Sequence, residues 1–553
     1  MRVTHLLLMS LLLAGCVDQL HEEAHALTYL ETTTSSTGES ELPTTTQAAT
    51  GGGVQTVTGE TTLEATTSSV DDTTATTGES VDLPPTVDLF AAEPDQLSEA
   101  GKSLLHLQTS ADVVQVRLFQ NDEPIADLEP ADFPYTYEAF SAKNNGDPHT
   151  FRVEVKDAGG QTAAKDLKLK VVLPLSGAER CLFLDMGAKG SAIFGLVHAT
   201  DAIVAVGWRD TGAGPRMAIW KLDKKNCTVL PGWPRTIVNW SPALAGQTSR
   251  AVGVAIDEAG YIAIAANLWP GGKPQLYAAL LTPEGARIWE HTGDVGEEAA
   301  GVATGVDHRV FVVGARRTSD NPVRTDARVW GFRFSEDIVT VWLTDLKAPF
   351  TPDEAFPDDD NVRSERARAV VVGNDEVVVV GEREFRGGDF NIYTRTFIAR
   401  YFPFGKAVAA PWTSPGDFFL HEAMNAVGLC GADLIAGGWT RDTAPGASPL
   451  PLMRWIKPDG TSVAGHVELL PVTQTFGIGC DREGKIVSGG TNWTGEYNAQ
   501  VFAVADPKQP PVIYDSGVAG DDAVLALACD PAESFCAGGG YRSMLAFLRV
   551  YHP

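Results

Sequence analysis

Two patterns of apolar and polar positions divide the body of the chain. From Pro84 to about Leu173 they alternate, as in Val114-Gln115-Val116-Arg117-Leu118, Phe151-Arg152-Val153-Glu154-Val155 and Leu167-Lys168-Leu169-Lys170-Val171. A period of two predicts half-buried strands, one face in a core and the other in water. Turn-forming clusters separate them at Gln120 to Pro124, Asn144 to Pro148 and Asp157 to Gly160. From about Ala178 a different unit takes over: a short apolar strand, a turn, and a second apolar strand ending in Gly or Ala. It recurs from Phe194 to Gly207, Val252 to Ala265, Ala300 to Gly314, Ala369 to Gly381, Val427 to Gly437, Phe476 to Gly489 and Leu525 to Gly538.

The aligned positions 195, 253, 301, 370, 428, 477 and 526 lie 48 to 69 residues apart. That period fits four-stranded propeller blades with insertions better than helical or leucine-rich repeats. Third strands are expected at Met217 to Leu222, Tyr277 to Leu281, Phe397 to Tyr401, Leu452 to Ile456 and Val501 to Val504. Fourth strands are expected around Trp233, Trp289, Trp342 and Trp412. The last copy stops after its third strand, and an unassigned apolar strand, Cys181-Leu182-Phe183-Leu184, precedes the first copy. That early strand is expected to complete the final blade, because closing the ring removes exposed sheet edges. The fold class expected is therefore all-β, a sandwich followed by a seven-bladed β-propeller.

In wording, Phe476-Gly477-Ile478-Gly479-Cys480-Asp481-Arg482-Glu483-Gly484-Lys485-Ile486-Val487-Ser488-Gly489-Gly490 resembles the SBBP and delta-sixty type propeller repeats of bacterial exported proteins. Ile456-Lys457-Pro458-Asp459-Gly460-Thr461 is similar to their closing element. The hairpin Val155-Lys156-Asp157-Ala158-Gly159-Gly160 resembles that of a bacterial immunoglobulin-like domain, and about ninety residues suit a small sandwich. Neither resemblance implies a catalytic set, because a fold does not fix a function.

The amino terminus reads as an address. The apolar run Leu6 to Leu13 is too short to span a bilayer and has the size of a signal-peptide core. It leads into Leu13-Ala14-Gly15-Cys16, which resembles the cleavage and lipidation signal of a bacterial lipoprotein. The resemblance implies removal of residues 1–15 and acylation of Cys16, and two or more acyl chains anchor a protein firmly. Val17 follows the cysteine, and no aspartate stands there to retain the protein at an inner membrane. An outer-membrane anchor, on the periplasmic or cell-surface face, is the expectation. From Glu31 to about Asp82 the chain is rich in Thr, Ser, Gly and Glu, too poor in apolar surface to offset ordering entropy. The expected domains are a lipidated disordered linker over 16–82, an Ig-like sandwich over 83–175 and a propeller over 176–553.

Charge and cysteine usage narrow the chemistry. A formal charge of -28 disfavours a phosphate-binding surface, so nucleic acid is not an expected partner. Of seven cysteines, six remain once Cys16 is assigned to lipid, and an even number in an exported chain points to disulfides. Six cysteines allow fifteen pairings. Cys529 and Cys536 bracket a turn-like insert and form the preferred pair, and Cys430 with Cys480 and Cys181 with Cys227 complete one such set. No C-x-x-C, H-E-x-x-H, G-x-S-x-G or phosphate loop occurs, so no metal, cofactor or catalytic residue is nominated.

Asp201, Asp257, Asp307, Asp375, Asp433, Asp481 and Asp530 recur after the first strand of each copy, where turn closure explains them better than a cation-binding ring does. The acidic run Pro352 to Asn361 lacks the ligand spacing of a calcium loop. Histidines 198, 291, 308, 421 and 466 occupy no matching positions. Two functions stay open. One is a monomeric binding or scaffolding module that offers its loops, including the inserts Arg317 to Thr325, Pro352 to Arg363 and Thr440 to Pro449, to a glycan or protein. The other is an exported hydrolase or lyase acting on polysaccharide, with carboxylates meeting at the channel mouth.

Overall fold

The computed structural model describes residues 83–552 apart from short internal segments, the longest being 346–361. The signal and linker expected over 1–82, with Cys16, lie outside the described residues, as do Pro352 to Asn361, Asp375 and His466.

The alternating region forms two sheets, one of three strands and one of five, packed over a single core that includes Leu105, Val116, Leu118, Phe151, Val153, Val155 and Leu169. The strand Thr162–Val171 shows how the alternation is used, with every second residue exposed. The hairpin that enters it is closed by Asp157, whose Oδ1 accepts the Gln161 N–H at 2.8 Å, while Gly160 takes a φ of +90°.

The repeats form seven four-stranded sheets among the described residues. Their first strands are Gly190–His198, Ser249–Ile256, Glu297–Gly305, Val362–Gly373, Leu420–Cys430, Gln474–Cys480 and Asp522–Asp530. Each of these contacts the first strand of the next sheet, and the last contacts the first, so they line the axis of a closed ring. Seven apolar clusters fill the seven spaces between neighbouring blades. This explains the continuous apolar runs: a second strand such as Ile262–Leu268 is buried on both faces, whereas a sandwich strand is buried on one. Glu179–Leu184 pairs antiparallel with Leu545–Tyr551 and supplies the fourth strand of blade 7. Fourth strands contain Trp289, Trp342 and Trp412. In blade 1 the strand is Arg235–Thr236, two residues past the expected Trp233.

The ladders correct the repeat alignment. Every inner strand carries one extra residue, at Phe194, Val252, Ala300, Arg368, Asn425, Phe476 and Leu525. A bulge bends its strand and breaks the simple alternation. The next residue is always small: Gly195, Gly253, Gly301, Ala369, Ala426, Gly477 or Ala526. In blades 4 and 5 the equivalent positions are thus 369 and 426, one and two residues before the 370 and 428 suggested by sequence. The physical reason is crowding at the axis, where a Cβ on Gly195 would stand 3.0 Å from the Gly253 Cα and one on Gly477 2.5 Å from the Leu527 backbone nitrogen.

The glycine that ends each copy has a second cause. Opposite the residue before each bulge stand Gly207, Ala266, Gly314, Gly381, Gly438, Gly490 and Gly540. A Cβ on Gly207 would lie 1.8 Å from the Ala192 carbonyl oxygen, and one on Gly438 equally close to that of Ala423. The sequence had marked Ala265, Gly437, Gly489 and Gly538 instead, because neighbouring small residues hide the register.

Candidate functional site: the two faces of the ring

The ring has unlike faces. First-to-second-strand turns emerge on one side, here the turn face. Fourth-to-first and second-to-third connections emerge on the other, the loop face. The strand ends that bracket the three inserts noted in the sequence lie on the loop face. The sandwich touches the turn face: Arg482, in the first turn of blade 6, reaches Glu138 of the sandwich at 2.5 Å. Lys102 holds the other oxygen of the same carboxylate at 2.6 Å. The hydrogen bond from Lys102, with the nearby Arg482 guanidinium, keeps the Glu138 carboxyl below its usual range.

Inner strands begin at the loop face, and in six blades the residue three before the bulge fastens the strand's start to its own or the preceding blade. In blades 3, 4 and 5 it is a glutamate paired with a buried arginine: Glu297 with Arg328 at 2.7 Å, Glu365 with Arg383, and Glu422 with Arg454 at 3.1 Å. Blade 7 uses Asp522, which accepts the Ala499 N–H of the preceding blade at 2.7 Å and pairs with Arg542. Blades 1 and 2 use serines. Ser191 Oγ accepts the Ala546 N–H at 2.8 Å, and Ser249 Oγ accepts the Met217 N–H at 3.0 Å, each from the preceding blade. The residues added by the bulges remain partly exposed in all seven blades. They divide the axis into an apolar arc, Phe476, Leu525, Phe194, Val252 and Ala300, and a polar arc of Arg368 and Asn425. Arg368 is held by Glu382, and Asn425 Nδ2 donates to the Thr475 carbonyl at 3.2 Å.

These carboxylates at the inner-strand starts each engage an arginine of their own blade. Among the described residues, no group of three or more His, Cys, Asp or Glu side chains is placed to hold a metal ion. Two of the recurrent aspartates of the turn face close their turns: Asp257 Oδ1 accepts the Ala259 and Tyr261 N–H groups, and Asp481 Oδ1 accepts that of Lys485. Burial pushes the Asp481 carboxyl up.

No family model and no curated protein matches the chain. Among solved structures it is similar to the polysaccharide lyase Uly1, at 12% identity and a TM-score of 0.40 over 65% of this chain and 89% of that one. It is likewise similar to the Pseudomonas aeruginosa periplasmic gluconolactonase PpgL, at 12% and 0.37 over 63% and 88%. A third likeness is to Chaetomium thermophilum Sqt1, at 12% and 0.36 over 66% and 82%. These are likenesses of fold, and the blade count rests on the sheets themselves.

Three disulfides are present among the described residues, and they join the pairs set out from the sequence. Cys181–Cys227 ties the closing strand of blade 7 to blade 1. Cys430–Cys480 links the inner-strand ends of blades 5 and 6. Cys529–Cys536 clamps the first hairpin of blade 7, where the two residues are ladder partners.

The histidines separate by environment. His198 is half-buried at the junction of blades 7 and 1, donating from Nε2 to the Ala528 carbonyl at 3.1 Å, and desolvation lowers its pKa to about 4. Beside it the buried Lys224–Asp530 pair, 2.6 Å apart, crosses the same junction. Burial also lowers His291 and His421. His308 Nδ1 meets Asp257 Oδ2 at 2.6 Å on the turn face, a pairing across 51 residues that no local motif announces.

The sequence also gave no sign of a stack on the loop face. Arg250, buried at the start of the inner strand of blade 2, lies between two tryptophans, 5.6 Å from the Trp208 ring centroid and 5.5 Å from that of Trp269. Burial brings its guanidinium down to about 10. The only available signal was an arginine where most copies have a small or neutral residue.

Proposed function

We propose that the chain is a membrane-anchored, exported binding or scaffolding module whose propeller offers its loop face to a protein or glycan. One observation carries this reading: the sandwich meets the ring through Glu138 and Arg482 on the turn face, while the strand ends that bracket the long inserts lie on the opposite face. A support attached behind leaves the variable connections directed away from it, and rigid scaffolds commonly carry binding residues on such loops. In this reading residues 1–15 are a lipoprotein signal, Cys16 is the acylated residue of an outer-membrane anchor, the linker and an Ig-like spacer hold the ring off the bilayer, and the protein is a monomer.

The test presents the detergent-solubilised full chain to glycan and peptide arrays, with a polysaccharide-degradation assay alongside. Saturable binding abolished by changes in the loop-face inserts is expected. Turnover of a polymer without saturable binding to either array would overturn the reading in favour of an exported hydrolase or lyase. The anchor is tested separately, since Cys16→Ala should abolish acyl labelling and release the protein from membranes.

A further inference from the structure

The sandwich is joined to the ring at two points, and the covalent one leaves little slack. Leu173, just past the last sandwich strand Thr162–Val171, is 4% exposed and belongs to the sandwich core. Its backbone is paired by a single side chain: Asn145 Nδ2 donates to the Leu173 carbonyl at 3.0 Å, and Asn145 Oδ1 accepts the Leu173 N–H at 2.6 Å. By Gly177 the chain already belongs to the ring. The Gly177 N–H donates to the His552 carbonyl at 2.8 Å, and the His552 N–H donates to the Ala178 carbonyl at 2.9 Å.

Gly177 is also held against blade 6. Its φ of +79° is one that most side chains avoid, and a Cβ there would stand 2.5 Å from Tyr514 Cδ1. Tyr514 lies in Val512–Asp515, the outermost strand of that blade. Between the two anchored ends are only residues 174–176, the first a proline with a fixed φ. The second attachment, Glu138 with Arg482, falls in the turn that follows the innermost strand of the same blade. Three strand spacings separate the inner and outer strands, so the two attachments stand about 10–14 Å apart across blade 6.

We infer that the sandwich and the ring behave as one rigid strut, which holds the loop face at a fixed angle to the sandwich. A covalent link alone would allow the ring to swivel, and a partly exposed ion pair alone is weak. Together they restrain more, because a short link turns the ion pair into an intramolecular contact. The inference concerns how the loop face is presented and goes beyond the reading of what that face binds.

The test places spin labels, carried by unnatural amino acids, at exposed Asp112 in the sandwich and exposed Glu258 in blade 2 of the detergent-solubilised full chain. Pulsed electron resonance then reads the distance between the two bodies. A three-residue coil free to move would spread its ends over roughly 10 Å; the strut should give a single distance with a spread well below that. Inserting Gly-Ser-Gly-Ser after Ser176 lengthens the link to seven residues and should widen the spread to roughly 15 Å. Arg482→Glu, which sets two carboxylates against each other, should shift or broaden the distance, and Arg482→Lys should restore it. Unchanged melting of the ring in these variants shows that it stays folded. A native spread as wide as that of the insertion variant, or an unaltered distance and spread in Arg482→Glu, overturns the strut. Array binding kept by a loosely coupled chain would fail the strut alone, whereas a rigid chain that binds neither array would fail the binding module alone.

Discussion

Blades 3 to 5 and blades 7, 1 and 2 solve one packing problem with different chemistry. At the start of the inner strand, three residues before the bulge, the first group places Glu297, Glu365 and Glu422 against buried arginines. In the second group, Ser191 and Ser249 accept backbone N–H groups from the preceding blade, and Asp522 does so while also pairing with Arg542. The axial bulge recurs in both arcs, so the backbone does not dictate the side chain. What differs is the loading of the two arcs. The closure, between blades 7 and 1, is additionally secured by the pairing of Glu179–Leu184, the Cys181–Cys227 disulfide and the Lys224–Asp530 pair. Blades 3 to 5 lie within the continuous chain and need no closing strand. Buried ion pairs add register there, with little net stability when both partners are present.

That contrast is most sharply broken by removing one partner of a buried pair. Arg454→Met should destabilise the protein by about 3–5 kcal/mol, because Glu422 is left charged and buried, whereas Glu422→Leu with Arg454→Met should recover most of that loss. Ser249→Ala, which removes an accepted backbone hydrogen bond in the other arc, should cost about 1–3 kcal/mol. Denaturant titration gives all three, and equal costs for the two single variants would erase the distinction between the arcs.

The covalent staple of the closure comes next. Replacing both Cys181 and Cys227 by Ala releases a loop whose ends are 46 residues apart, which by chain entropy is worth about 4 kcal/mol. Protease cleavage should then begin at the Glu179–Leu184 strand. Initial cleavage elsewhere in the ring would show that the disulfide does not guard the closure.

A further effect is one of pH. His198 is held neutral by burial, with a folded pKa of about 4 against about 6.5 when unfolded. Between those values the unfolded state binds more protons, so stability rises with pH and is lost as pH falls from about 6.5 toward 4, by up to about 3 kcal/mol. His198→Gln should flatten the pH dependence in that window, as read from melting at successive pH values. An unchanged slope would place the acid sensitivity in other groups.

Much of this was legible because both patterns follow from burial. Alternation in Leu167 to Val171 gave a half-exposed sandwich strand, and unbroken apolar runs such as Ile262 to Ala266 gave sheets buried on both faces. The period supplied seven repeats, and the unpaired Cys181 to Leu184 strand supplied the closure. The register in blades 4 and 5 was misread because a bulge adds a residue without altering composition. The Trp208–Arg250–Trp269 stack and the His308–Asp257 contact join separate strands or blades, so no spacing within one repeat contains them.

The sequence by itself determined an all-β chain, its sevenfold repetition and the residue types its turns require, because periodicity and turn chemistry are local. Tertiary structure alone decided which small residue meets the neighbouring blade, which carboxylate receives an arginine, and that Arg250 lies between two tryptophans. Those outcomes depend on distances across a closed ring, and ring closure brings together residues hundreds of positions apart, such as Ser191 and Ala546.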